Sequence, residues 1–188
     1  MILAERNPAA KIVAYEVSSL RFARLQERLA SFGERIECRL GDAAEIPDRA
    51  EYDLVLADVP CSGTGTLGRN PEILHRLRAE DLARQAVRQV AILGAALNAV
   101  RPGGFVVYST CSLEPEENEE VVAVILRERQ GARVVPIQSC LAAMEAGGIL
   151  IAEGRQKIAT CATPEGYLRL IPGAFGTDGF FIALLARD

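Results

Sequence analysis

Two short apolar runs that each stop at a cysteine constrain this chain more than any other feature. The first, Leu54 to Ala57, lies between Asp53 and Asp58 and runs into Val59-Pro60-Cys61-Ser62-Gly63-Thr64-Gly65, a loop rich in proline and glycine. An unbroken apolar run of this length, closed by turn residues, is the pattern of a strand buried on both faces. The second, Phe105 to Tyr108, follows Gly103-Gly104 and ends in Ser109-Thr110-Cys111-Ser112. In open sheets of parallel strands, ligands bind beyond the carboxyl ends of the strands, so two such strands can aim both thiols into one cleft.

The rest of the chain supplies the frame for such a sheet. Met1 to Arg6 read as the last turns of a helix stopped by Asn7-Pro8. Lys11 to Tyr15 reads as a strand ending at Glu16, followed by a helix with Leu20, Leu25, Leu29 and Phe32 on one face and Gly33 at its close. Ile36 to Leu40 is the next strand, ending at Gly41-Asp42. A helix from about Glu80 to Val100 carries Leu82, Ala86, Val90, Leu93 and Leu97 along one side. Pro115 to Asn118 opens another, with glutamates crowding its first turn as the helix dipole favours. The pattern weakens from Gly131 to Gly166. Tyr167 to Ile171 and Gly179 to Leu185 then read as an antiparallel hairpin at the sheet edge. Alternating strands and helices imply an α/β fold with a mostly parallel sheet, expected as a single domain over residues 1–188.

Composition narrows the function classes. No apolar run approaches the roughly 20 residues needed to span a bilayer, and five cysteines without a paired CxxC arrangement fit free thiols in a reducing cytoplasm. Neither a disulfide framework nor a metal site is expected. The net charge of −4 argues against gripping nucleic acid by bulk electrostatics, so an RNA substrate would need a local basic patch. Arg69, Arg76, Arg78, Arg84 and Arg88, close after Cys61, are the candidates.

Gly63-x-Gly65-x-x-Gly68 spells a dinucleotide fingerprint, but Arg69-Asn70-Pro71 stands where a helix should begin, and no acid ends a strand at the expected spacing. Cys38, Cys140 and Cys161 read as packing residues, the common fate of free cysteine. Cys61 and Cys111 differ, because both sit past strand ends among small and polar residues. His75, the only histidine, has no thiol motif beside it, which gives a cysteine hydrolase little support. Glu16, Asp42 and Asp58 each fall at the carboxyl end of a strand. Three acids in one crevice suit ribose hydroxyls, an amino group or a positive charge, although strand-end acids also cap turns.

Asp58-Val-Pro-Cys61-Ser-Gly-Thr-Gly65, Arg69-Asn-Pro-Glu72, Tyr108-Ser-Thr-Cys111-Ser-Leu-Glu-Pro-Glu-Glu-Asn118 and Asp178-Gly-Phe-Phe-Ile-Ala183 together resemble the RNA 5-methylcytosine methyltransferases of the Sun/Nop2 type, including the bacterial 16S ribosomal RNA methyltransferase B group. The resemblance covers essentially the whole chain. It implies a Rossmann-like class I methyltransferase sheet, S-adenosylmethionine as cofactor, and RNA, ribosomal RNA above all, as partner. It implies Cys111 as the nucleophile, Cys61 as the thiol that assists product release, and Asp58 on the edge of the cytosine and near the cofactor. Glu16 would bind the cofactor's ribose hydroxyls and Asp42 its adenine amino group, with Arg21 at a basic position nearby. Pro60, Ser62 and Arg69 would line the substrate. The family's catalytic domain also has a first central strand, a glycine-rich cofactor loop and a preceding RNA-binding region. None is found in this chain, which is therefore expected to be N-terminally truncated and to leave two apolar sheet edges unpaired. A catalytically inactive remnant that binds no cofactor is the alternative.

Overall fold

The computed structural model describes residues 2–188, which fall into two compact units, one running to Pro47 and the other spanning Asp48–Asp188. The first unit opens with a helix α1 (Ile2–Arg6), then β1 (Ile12–Glu16), α2 (Ser19–Leu29) and β2 (Ile36–Leu40). β1 and β2 pair in parallel, Ile12 opposite Ile36 and Glu16 opposite Leu40, and α2 packs on both. Ser18 starts α2 as a capping residue, its side chain accepting from the Arg21 N–H and so satisfying one of the free donors of the first turn.

The second unit contains β3 (Tyr52–Asp58), the short α3 (Ile73–Arg76), α4 (Ala79–Ala99), β4 (Val100–Thr110), α5 (Glu119–Glu128), β5 (Ala132–Val135), α6 (Ile137–Ala146), α7 (Ala152–Ala159), β6 (Leu168–Leu170) and β7 (Phe180–Arg187). Its sheet has the order β3-β4-β7-β5, with β6 also on β7. β3 and β4 run parallel, and β7 is antiparallel to β4, β5 and β6. The α/β class, the parallel pairs and the C-terminal antiparallel strands agree with the sequence. The hairpin differs in place: β7 lies inside the sheet, between β4 and the β5 and β6 pairings, because its Phe181, Ala183 and Leu185 supply the buried centre. β5, α6 and α7 occupy the segment where the sequence pattern is weak.

α4 packs against β3, β4 and α5, so Leu93, Val106, Tyr108, Val121, Val122, Ile125 and Phe181 are all at most 1% exposed. Phe181 sits between Tyr108 and Tyr167, with ring centroids 6.3 and 5.2 Å away. α6 and α7 close over Leu168, Leu170 and Ile182. β3 is not buried on both faces. Val55 and Ala57 turn inward beneath α4, whereas Leu54 and Leu56 on the alternate face are 53% and 50% exposed.

Of the glycines after Cys61, Gly63 turns the chain and Gly65 is closely packed. Gly63 adopts φ +76° to turn the chain. Gly65 donates its N–H to the Cys111 carbonyl at 2.9 Å and accepts from the Gly179 N–H at 2.8 Å. A Cβ at Gly65 would lie 2.5 Å from the Gly179 oxygen and 2.8 Å from the Cys111 oxygen, both backbone atoms that cannot step aside. Gly65→Ala is therefore expected to lower unfolding stability by about 1–3 kcal/mol. Gly68→Ala, where a Cβ meets nothing within 4 Å, should stay within about 0.5 kcal/mol of the wild type, and urea titration of both variants measures the two values.

Candidate active site

Parallel pairing of β3 with β4 places Asp58, the last residue of β3, opposite Ser109, one residue before the end of β4, and the Val59 N–H donates to the Ser109 carbonyl at 3.1 Å. The two loops therefore leave the sheet side by side. Cys61 and Cys111, 50 residues apart in the chain, meet with their sulfurs 3.3 Å apart. Both are partly exposed, as the attacking atom of a site open to a ligand must be. The Ser109 hydroxyl donates to Asp58 at 3.0 Å, orienting that carboxylate at the strand end.

A sulfur pair this close shares its protons unequally. The Cys61 thiol, by hydrogen-bonding to Cys111, favours the thiolate there and brings Cys111 down to about 7, against the opposition of burial and of the Asp58 and Glu117 charges. The same contact, with burial, pushes Cys61 well above an ordinary thiol. The pair's first proton therefore leaves from Cys111, half gone at a pH of about 7, and its second stays on Cys61.

Around the sulfurs, the loop backbones are tied by a network that is almost entirely buried. The Ser62 hydroxyl lies 3.1 Å from the Ser112 hydroxyl, and Thr64 lies 3.4 Å from Ser112 and accepts from the Leu113 N–H at 2.9 Å. Thr110 donates to Asn118 at 2.6 Å, and Asn118 donates to the Ser112 carbonyl at 3.0 Å. Glu117, fully buried, accepts from the Ser62 N–H and hydroxyl and from Gln89. Sequence reasoning placed this glutamate among dipole-facing residues of a helix start. In the structure Pro115–Glu117 is a separate 3-10 turn that points the side chain inward, and α5 begins after it with Glu119 and Glu120 in its first turn. The signal available beforehand was the run of small hydroxylated residues at Ser62, Thr64, Thr110 and Ser112, which need a buried partner.

The remaining expected site residues divide. Pro60 is exposed and its carbonyl accepts from Gln89 at 2.9 Å. Arg69 is ion-paired with Asp178, and Arg84 with Asp81. Arg76, Arg78 and Arg88 are exposed, as is His75. In the first unit, Glu16 at the end of β1 accepts from the Ser18 N–H at 2.8 Å and from Arg21 at 2.8 and 3.0 Å. The Arg21 bonds chiefly, then that N–H, hold its carboxyl down to about 2. Asp42, just past β2, accepts from the Ala44 N–H at 3.0 Å and lines an open cleft of about 610 Å³ with Tyr15, Leu40, Gly41, Glu45 and Ile46. Tyr15, Leu40 and Ile46 form an aromatic and aliphatic wall, with Arg39 and the Asp42 and Glu45 carboxylates as its charged groups; such a wall takes a flat heterocycle carrying an amino group, so the residues present suit the adenine end of S-adenosylmethionine.

Comparison with known proteins decides the family. The model of the 16S rRNA methyltransferase RsmB/F family matches residues 1–186. The chain belongs to the 16S rRNA methyltransferase RsmB/F family. Ribosomal RNA small subunit methyltransferase B of Vibrio cholerae is 32% identical over 188 residues, covering 98% of this chain and 38% of the relative. Its namesake from Klebsiella pneumoniae subsp. pneumoniae is 31% identical, covering 97% and 38%. The chain thus spans little more than a third of the curated relatives it matches. Among solved structures, NSun6 from Pyrococcus horikoshii with SFG superposes with a TM-score of 0.70 at 27% identity, covering 94% of this chain and 41% of that one. No described helix of this RsmB/F family member is long and apolar enough to cross a membrane.

The sulfur contact carries a pH prediction. Alkylation of Cys111 by iodoacetamide should rise with pH through a midpoint of about 7. In Cys61→Ala, which removes the donor but leaves burial and the two carboxylates, the midpoint should move up to ~8.5 or beyond. Peptide mass spectrometry across a pH series measures both.

Proposed function

We propose that this chain is the thiol-bearing catalytic segment of an enzyme that methylates carbon 5 of cytosine in RNA, with S-adenosylmethionine as methyl donor. The observation that carries the reading is the 3.3 Å contact between two sulfurs of opposite protonation preference at adjacent strand ends. Carbon 5 of cytosine is too weak a nucleophile to take a methyl group unaided, and a thiolate added at carbon 6 makes the ring an enamine that can.

Cys111 is the adding thiolate in this reading. A free thiol of pKa ~8.5 pays about 2 kcal/mol to ionise at neutral pH, and a thiol at about 7 is already half ionised. Asp58, fixed by Ser109, accepts a hydrogen bond from the cytosine amino group and so orients the ring toward the thiolate. Asp42 and the cleft around it hold the adenine end of S-adenosylmethionine, which when bound supplies an electrophilic methyl group. Glu16 binds the ribose hydroxyls, and Arg21 keeps its carboxylate charged.

Cys61 assists release. Its thiol is held protonated chiefly by the bond to Cys111. Once the Cys111 sulfur is bonded to carbon 6, that sulfur no longer carries a negative charge, so Cys61 is freer to lose its proton to solvent and, as the thiolate, to take the proton from carbon 5. The electron pair left on carbon 5 re-forms the ring double bond as the bond from carbon 6 to Cys111 breaks, returning the thiolate. The target must be splayed out of any helix to reach such thiols, which favours a single-stranded or looped site. Ribosomal RNA is the proposed substrate because the named relatives act on it. Pro60, Ser62 and Arg69 line its path in this reading.

Two variants separate the roles. With 5-fluorocytosine RNA and cofactor, Cys111→Ala should give no covalent protein–RNA band on a denaturing gel. With unmodified RNA, Cys61→Ala should accumulate one. Identical behaviour of the two would overturn the division, and a wild-type chain that forms no adduct at all would be the inactive remnant.

A further inference from the structure

Glu117 is 0% exposed, a costly place for a carboxylate unless its contacts repay the lost water. One of its oxygens accepts from the Ser62 N–H at 2.8 Å and from Gln89 Nε2 at 3.1 Å, and the other from the Ser62 hydroxyl at 2.5 Å. Gln89 Nε2 also donates to the Pro60 carbonyl at 2.9 Å. The backbone is therefore held on both sides of Cys61, directly at Ser62 and through Gln89 at Pro60. At its other end Glu117 belongs to the Cys111 side: its carbonyl accepts from the Tyr108 hydroxyl at 2.6 Å, and the next residue, Asn118, is bonded to Thr110 and to the Ser112 carbonyl.

We infer that Glu117 is a positioning residue for the thiol pair, fixing the loop around Cys61 so that its sulfur stays on that of Cys111. The catalytic meaning of this rests on the reading of Cys111 as nucleophile, but the geometry does not. The groups facing Cys111 are Cys61 from the loop after β3, Asp58 from the end of β3, and Glu117 from the turn before α5. The first favours its thiolate, and the charges of the other two oppose it.

That opposition makes charge and position separable. Glu117→Asp keeps the charge but draws the carboxylate back from Ser62. Glu117→Gln keeps the reach and an acceptor for the Ser62 N–H but removes the charge. Iodoacetamide alkylation of Cys111 in the 188-residue chain, read peptide by peptide across pH, needs neither RNA nor cofactor. In Glu117→Asp the midpoint should rise by about one pH unit, cutting the alkylation rate at pH 7 roughly fivefold. In Glu117→Gln it should stay at or below the wild-type value. A midpoint unmoved in Glu117→Asp, or raised equally in both variants, would overturn the inference, even if both melt at lower temperature as a purely structural role requires. If Glu117→Asp does not melt cooperatively, Ser62→Ala decides, with at least a twofold loss of rate at pH 7 expected and an unchanged rate overturning the inference. Failure of the wild-type chain to form an RNA adduct would count against the methyltransferase reading and leave this result standing.

Discussion

Everything proposed for this chain depends on one contact, the meeting of two sulfurs that the sequence places 50 residues apart. Backbone pairing brings the two loops together. With Asp58 opposite Ser109 in the β3–β4 register, both loops start from the same level of the sheet, and a slip of one residue would turn one thiol toward the opposite face. The pinched backbone at Gly65, tied to Cys111 on one side and Gly179 on the other, then holds the first loop against the second. Tyr108 and Phe181, both fully buried, pack edge to face on β4 and β7 below the loops.

The contact gives the site its chemistry because two adjacent thiols cannot both ionise. The first proton leaves easily, since the remaining S–H stabilises the thiolate. The second is retained. A reaction that uses up the thiolate by bonding it to carbon also removes the chief reason for the second proton to stay, so the two thiols can act in sequence. Buried Glu117 both secures this geometry and, by its charge, limits how acidic Cys111 becomes.

The strand-end placement of the two cysteines and Asp58 was legible because apolar runs closed by turn residues are strong local signals. Glu16 and Asp42 were legible for the same reason. What the sequence hid was set by tertiary packing. Leu54 and Leu56 read as fully buried, since composition cannot show that α4 covers only the alternate residues of β3. β5, α6 and α7 are short and weakly amphipathic, and the small cluster of Ile137, Leu141 and Leu168 orders the helices where no strong periodicity could. β7 carries the pattern of a hairpin arm, and only the pairing with β4 shows that it is central. Glu117 was hidden among neighbouring glutamates, because nothing local distinguishes a carboxylate that faces solvent from one that faces Ser62.

Residue-resolved titration of the cysteine Cβ resonances, by carbon-13 NMR on the chain labelled at cysteine, reaches the sulfur pair without substrate or reagent. The account predicts that the Cys111 signal shifts with a midpoint near pH 7, while the Cys61 signal stays in its protonated position to the alkaline limit of the folded state. Two independent transitions near the ordinary thiol value of ~8.5 would contradict it.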